Sequence, residues 1–218
     1  QTYGGSFMYH AENKQIFLGY VIGLDYKNPH LSPFDEFQRF KTHPSIKKYL
    51  DGGKRISYGA RALIEGGLQS LPQMYMPGAL LVGCDAGTLN MPKIKGSHTA
   101  MKSGMIAAET IFEHLKDKKP LSIYEDKFKN SWVYEELYAA RNVKPSFNWG
   151  LILGIIFTGI DQILFRGKLP FTLKHKHADH EALLPADKMP KIEYPKPDNI
   201  ITFDLSLIHI SEPTRQSL

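Results

Sequence analysis

Cysteine is nearly absent from this 218-residue chain, where Cys84 stands alone. A single thiol excludes a disulfide framework, a thiolate zinc site and an iron–sulfur cluster held within the chain, because each needs several cysteines. Net charge is scarce as well. The 27 Lys and Arg against 22 Asp and Glu leave +5, which fits an anionic partner or a membrane surface, and no nucleic-acid partner is expected. Long apolar runs are missing too: the longest, 149–165, contains Asp161 and falls short of the roughly 20 residues of a spanning helix. No Ser/His/Asp or Cys/His set suggests a nucleophile, so no catalytic side chain is assigned. His175, His177 and His180 sit in a Lys-rich stretch without a fourth ligand and read as a solvated tail, so no metal ligands are assigned. An initiator Met and a targeting pattern are absent, and Gln1 to Gly5 starts inside a strand. Residues 205–215 resemble the in-frame translation of sequencing-adapter DNA, so 205–218 is expected to be a non-native tail, with a genuine amphipathic tail as the alternative.

What is present is a globular composition, 42% hydrophobic and 22% charged. Residues 5–24 alternate around a polar turn at 11–15 and predict a β-hairpin. Ser32-Pro33-Phe34-Asp35-Glu36 supplies an N-cap, a first-turn proline and acidic residues, which predicts a helix over 33–42, and His43-Pro44 breaks it before a second helical turn over 44–50. Residues 52–61 read as a strand and loop. Met76-Pro77-Gly78 is a turn, and 79–83 has the pattern of a buried parallel strand. Helices follow over 97–116, with Ala100, Met101, Met105, Ala108, Ile111, Phe112 and Leu115 near one face, and over 121–140. Gly104, Ala107 and Ala108 suit close packing of the first of these helices on a sheet. Residues 166–200 are basic and proline-punctuated and read as an extended linker.

The strongest local chemistry lies in a strand–glycine loop–helix unit, Gly83-Cys84-Asp85-Ala86-Gly87-Thr88-Leu89-Asn90 followed by Gly96-Ser97-His98-Thr99. Glycines admit a close backbone approach. A helix N-terminus offers free N–H groups and a positive dipole end to a phosphate or to the N1–C2=O edge of a reduced flavin. An ordinary βα turn reads the same way on spacing alone. This unit, with Lys93 through Gly104, Thr2-Tyr3-Gly4-Gly5-Ser6-Phe7, Gly52-Gly53-Lys54-Arg55-Ile56, Tyr58-Gly59-Ala60-Arg61-Ala62-Leu63 and Tyr194-Pro195-Lys196-Pro197-Asp198, resembles the electron-transfer flavoprotein–ubiquinone oxidoreductase family over about 1–204.

The resemblance implies FAD contacts at Gly83, Cys84, Asp85, Gly87, Asn90, Gly96, Ser97, His98 and Thr99. The wider group's loop reads Gly-Asp-Ala, and whether Cys84 or Asp85 meets the ribityl chain stays open. It implies ubiquinone contacts at Tyr3, Gly4 and Gly5, with Phe7 and the hairpin's aromatic face as a wall; a strand entry without a ligand is the plain alternative. The family's Gly-x-Gly-x-x-Gly turn and its 4Fe–4S module lie outside this chain. The expected fold class is α+β or α/β, a fragment of a two-domain FAD-binding oxidoreductase with an antiparallel hairpin sheet, the strand–loop–helix motif and then helices. The regions expected are 1–75 for ubiquinone, 76–118 for FAD, 119–168 for helices including a membrane-surface helix, and 169–204 as a linker.

In 147–165 the positions Gly150, Gly154, Thr158, Asp161 and Gln162 fall on one stripe. Both flanks are basic, through Arg141 and Lys144 before it and Arg166, Lys168 and Lys174 after it. A helix lying in one leaflet fits, with Trp149, Leu151, Ile152, Ile155, Ile156, Phe157, Ile160 and Leu164 in lipid; a buried core helix is the alternative. The implied partners are electron-transfer flavoprotein, ubiquinone and the membrane, at the matrix side of the mitochondrial inner membrane or at a bacterial membrane. Rival readings are a FixC-like or geranylgeranyl-reductase-like flavoprotein, or a membrane-docked module without enzymatic activity.

Overall fold

The computed structural model describes residues 2–175 and 177–205, so most of the expected non-native tail lies outside the described residues. The chain divides into two compact units, one formed by Gln1–Gly59 with His177–Leu218 and the other by Ala60–Lys176, whereas the sequence places boundaries at 75, 118 and 168. The architecture is mixed, with helices and two small antiparallel sheets.

In the first unit, strands β1 (Gly4–His10) and β2 (Ile16–Ile22) form the expected hairpin, in a register that pairs Gly5 with Val21, Phe7 with Gly19 and Tyr9 with Phe17. One face of the hairpin meets helix α1 (Pro33–Lys41), where Tyr20 packs on Phe37 and Phe40. Ser32 Oγ caps α1 by accepting from the Asp35 N–H at 3.2 Å, as the Ser-Pro start requires. Helix α2 (Pro44–Leu50) follows. Residues 53–66 are irregular, so the strand expected over 52–61 does not form; a strand needs a ladder partner, and two glycines at its start weaken it. The returning segment is extended, as expected, but it is tied down rather than solvated. The Tyr194 hydroxyl accepts from the Ser32 N–H and donates to Glu36, and the Phe203 N–H donates to Gln38 Oε1.

In the second unit, β3 (Tyr75–Met76) and β4 (Ala79–Leu80) make a minimal hairpin around Pro77-Gly78. The expected buried parallel strand over 79–83 is therefore two residues long and antiparallel, with Leu81 and Val82 exposed. Helix α3 (Ser97–Asp117) packs on the 83–86 turn, α4 (Ile123–Lys129) and α5 (Trp132–Ala140) rather than on a sheet. Its orientation is a finding. It buries Thr99, Ser103, Ile106, Ala107 and Thr110, and turns Met101, Met105, Ala108, Ile111, Phe112 and Leu115 outward. The hydroxyls tolerate burial because each donates to a carbonyl of its own helix: Thr99 to Gly96, Ser103 to Ala100 and Thr110 to Ile106. The core is Met74, Ala86, Ile106, Ala107, Tyr124, Phe128, Val133 and Leu137. Burial pushes the Tyr124 hydroxyl up to about 12, and this hydroxyl donates to the Leu81 carbonyl.

Lys41 ends α1 with its ammonium 5.2 Å from the Phe37 ring centre and 5.0 Å from that of Phe203. Burial and then Arg55 push its pKa down to about 8 against a pull from Asp198. Between about 8 and the ordinary 10.5 the unfolded chain holds this proton and the native chain does not, so stability rises with pH across that window. Lys41→Met is expected to stabilise the unit by about 1–2 kcal/mol at pH 7, a discounted fraction of the shift. The advantage should shrink as the pH rises from 8 to 10.5, as followed by urea unfolding at both ends of the window.

Candidate functional site

The glycine loop is held by its own backbone. Gly83 and Gly87 take φ of +69° and +90°, conformations that favour glycine. The Gly83 N–H donates to Ser103 Oγ at 2.9 Å, and its carbonyl accepts from the Thr88 N–H. Residues 86–90 are buried beneath the turn. Asn90 and Lys95 bridge the far end through two backbone bonds of 3.0 and 3.3 Å. Gly96 then starts α3 without a side-chain cap, which leaves the first-turn amides of Ser97, His98 and Thr99 without intrahelical acceptors. A Cβ at Gly96 would lie 2.7 Å from Cys84 Sγ and 3.4 Å from Leu89. The structure thus gives Cys84 and Asp85 different surroundings. Cys84 tucks against the helix start, while Asp85 is exposed and takes both its hydrogen bonds from Arg61 Nη2, at 2.8 and 2.7 Å. Thr88 Oγ1, fully buried in the loop, has no hydrogen-bond partner. Glu136 on α5 accepts from Asn90, Lys93 and His98. Sequence reasoning assigned no role to Arg61, Thr88 or Glu136; the signals for Arg61 were its basic, glycine-rich stretch and its place in a segment that carries the family resemblance.

On the first unit, β1 and β2 turn an aromatic face outward: Phe7, Tyr9, Phe17 and Val21 are exposed, as is Tyr3. The Phe7 ring lies over Gly19, where a Cβ would fall 2.0 Å from it. The ladder closes through odd-numbered residues of β1 at both ends, with the Gly23 N–H on the Tyr3 carbonyl and the Ala11 N–H on that of Gln15. Antiparallel alternation then puts Gly5 in a hydrogen-bonded pair with Val21 and directs the Gly4 N–H away from β2. Gly4 is therefore the free donor of the two glycines. Beside Gly5 the space is open, with nothing within 4 Å of where a Cβ would stand.

Helices α6 (Val143–Ser146) and α7 (Leu151–Gly159), with a π-helical turn over Ile160–Leu164, form the apolar region. Four of the five positions of its small and polar stripe face inward, whereas Gly150 precedes α7 and is exposed. Gly154 gives room to Phe147, Thr158 meets Ser146 Oγ at 3.3 Å, Gln162 donates to the Ala139 carbonyl, and Asp161 is fully buried. Trp149, Leu151, Ile152, Ile155, Ile156, Ile160 and Leu164 are exposed, at 42–74%. Phe157 departs from the expected lipid set: it is half-buried, edge-on to Trp149 at 5.2 Å and 6.4 Å from Phe171. Leu153 and Ile163 are exposed additions at 58% and 76%. Arg141 is not a surface cation. It is 2% exposed and donates to the carbonyls of Tyr138, Gly167, Leu169 and Phe171 and to Thr172 Oγ1. Arg166, Lys168 and Lys174 remain exposed. Among the described residues, no helix is long and apolar enough to cross a membrane.

Comparison with known proteins matches these features to one segment of a larger enzyme. Residues 1–63 match a family model described as ETF-QO, ubiquinone-binding. The electron transfer flavoprotein-ubiquinone oxidoreductase of Pseudomonas aeruginosa is 54% identical over 98% of the chain and 40% of its own length. The mitochondrial proteins of that name from Sus scrofa and from rice are 56% and 52% identical over 94% of the chain, and over 35% and 36% of their own lengths. Along nearly its whole length the chain aligns with one segment of the electron transfer flavoprotein-ubiquinone oxidoreductases. It spans somewhat more than a third of the length of these relatives, which are oxidoreductases by name.

Replacing Arg141 by Lys tests the anchoring of the apolar region. Lysine keeps the charge but not the planar fork that serves diverging carbonyls. A loss of about 2–4 kcal/mol is expected from the unpaired buried groups, read as a lower urea midpoint.

Proposed function

We propose that this chain is the quinone-facing, flavin-loop and membrane-contact part of a flavoprotein that takes electrons from reduced electron-transfer flavoprotein and passes them to ubiquinone. The observation that carries the reading is the family match over the hairpin, whose outward face is aromatic and whose first pair, Gly4 with Ile22, is by alternation the non-hydrogen-bonded kind. A quinone has two carbonyl acceptors, so it needs a donor or two and an apolar wall. Tyr3, Gly4 and Gly5 with Phe7 supply these.

The residues of the glycine loop fit FAD. The α3 start lacks a cap, Gly96 lets Cys84 and Leu89 pack close against it, and the buried Thr88 hydroxyl has hydrogen-bonding capacity unused. Gly83, Cys84, Gly87, Asn90 and the amides of Ser97, His98 and Thr99 would hold the flavin end, with Asp85 steered outward by Arg61. The flavin supplies the electron-transfer chemistry when bound. The chain's own residues bind it, orient it and aim the positive end of α3 at its polar edge. No protein nucleophile is required. A 4Fe–4S cluster belongs to the larger protein, outside this segment.

The exposed apolar residues of 149–165, with the polar stripe turned inward, support a helix resting in one leaflet, and the exposed Arg166, Lys168 and Lys174 suit anionic head groups. The location that follows is the matrix face of the mitochondrial inner membrane, or the equivalent bacterial surface.

The reading is tested in the full-length protein by its visible spectrum and its quinone reduction; a flavin spectrum without quinone reductase activity removes it. Two variants probe its parts. Gly96→Val is expected to cost most of the bound FAD on dialysis, because a branched side chain would push into Cys84 and Leu89 and block the helix start; full flavin occupancy would displace the site. Ile155→Lys with Ile156→Lys is expected to release the protein from anionic liposomes with an unchanged melting temperature, since each charge costs about 2.5–3.5 kcal/mol in hydrocarbon on insertion scales. Retained co-sedimentation would defeat the membrane assignment.

A further inference from the structure

Glu136 joins three parts of the loop through one carboxylate. It stands on α5, one turn after Trp132. One carboxylate oxygen accepts from Asn90 Nδ2 at 3.0 Å and from His98 Nε2 at 3.0 Å, and the other accepts from Lys93 Nζ at 2.6 Å. The donors come from three places. Asn90 is half of the bridge that closes the loop, Lys93 lies between the bridge partners, and His98 belongs to the first turn of α3. Trp132 stacks on the same imidazole, with ring centres 5.6 Å apart and planes 11° from parallel. The His98 ring is thus held at its edge by a carboxylate and on its face by an indole, both from α5.

We propose that Glu136 is a positioning residue of the flavin site: through Asn90 and His98 it fixes the uncapped first turn of α3 against the glycine loop. This rests on the flavin reading of that loop. The physical need is clear from the geometry. Gly96 has no side chain to cap the helix, so the direction of the first-turn amides must be set by something beyond the local backbone. Donors aimed at a flavin edge act only when they are aligned in advance, because a hydrogen bond weakens steeply as its angle closes. The carboxylate also stays charged over the working pH range. Partial burial opposes the charged carboxylate, but the hydrogen bonds from Lys93, His98 and Asn90 outweigh it and hold the pKa down at about 2. A surface ion pair alone would contribute little; here one carboxylate collects three donors that the chain otherwise leaves on separate segments.

The test is Glu136→Gln in the full-length protein, read by titrating the flavin-free form with FAD and by the midpoint potential of the bound flavin. The amide keeps the size of the side chain but turns one of its two acceptors into a donor, facing either Lys93 or the Asn90 and His98 pair. FAD affinity should fall about 10- to 100-fold, the scale of one lost hydrogen bond to a charged group. The potential should fall too, because misaligned amides weaken the hold on the reduced, anionic flavin more than on the oxidised form. Trp132→Ala, which frees the other side of the ring, should shift both readouts the same way by less, and it serves if the Gln variant does not fold. Unchanged affinity, or a potential that stays or rises, overturns the positioning role, as does a lowered melting temperature with normal flavin binding. Gly96→Val separates the two levels: flavin lost there but kept in Glu136→Gln and in Trp132→Ala overturns only this inference, whereas full flavin occupancy in all three overturns the flavin assignment itself.

Discussion

The second unit depends on one buried guanidinium. Arg141 meets four backbone carbonyls and a threonine hydroxyl, and its Cζ lies 3.7 Å from the Tyr138 ring centre. The carbonyls of Gly167, Leu169 and Phe171 belong to a segment without regular structure, and such groups must find donors when buried. Asn142 completes the set, donating to Phe171 and accepting from the Leu173 N–H, while Gln69 donates to the carbonyls of Arg141 and Leu173. The chain leaving the apolar helix is thereby drawn back onto the unit that the helix came from.

That anchoring explains why so much hydrocarbon stays outside. A helix tied down through Gly154, Thr158, Asp161 and Gln162 has no freedom to roll its leucines and isoleucines inward. The π-helical turn at Ile160–Leu164 widens the backbone where Asp161 and Gln162 must both reach the unit. Asp161 Oδ1 is nevertheless left without a partner, which is a cost the fold carries inside its most apolar segment. Helix α3 follows the same logic by a different route. Its threonines and serine satisfy their hydroxyls within the helix and present thin, close-packing surfaces, so Ser103 can also accept from the Gly83 N–H. Met101, Met105, Ile111, Phe112 and Leu115 lie on the opposite face, while Ile106 and Ala107 join the core.

The loop between β4 and α3 shows the two kinds of constraint side by side. Glycines at positive φ shape it from within, and those were visible as residue types. Its orientation is set from outside, by Arg61 on Asp85 and by Glu136 on Asn90, Lys93 and His98. The first kind makes a close approach by a ligand physically allowed; the second decides which side chains remain available to meet it.

The sequence by itself determined the features that depend on neighbours a few residues apart. Ser32-Pro33 capped and started α1, Pro77-Gly78 made a turn, alternation over 5–24 formed β1 and β2, and the periodicity after Gly96 formed α3. The inward stripe of 154–162 was equally legible, because four- and three-residue spacings place it on one side of any helix, though Gly150 falls before the helix and is exposed. The tertiary structure alone decided which face of α3 is covered, that Arg141 is internal rather than at a membrane surface, that 52–61 lacks a strand partner, and that Asp85 belongs to Arg61. Each of those outcomes rests on a partner far away in the chain. Periodicity specifies that two faces differ, but the face that is buried is the one whose polar groups can be satisfied by whatever the rest of the chain brings against it.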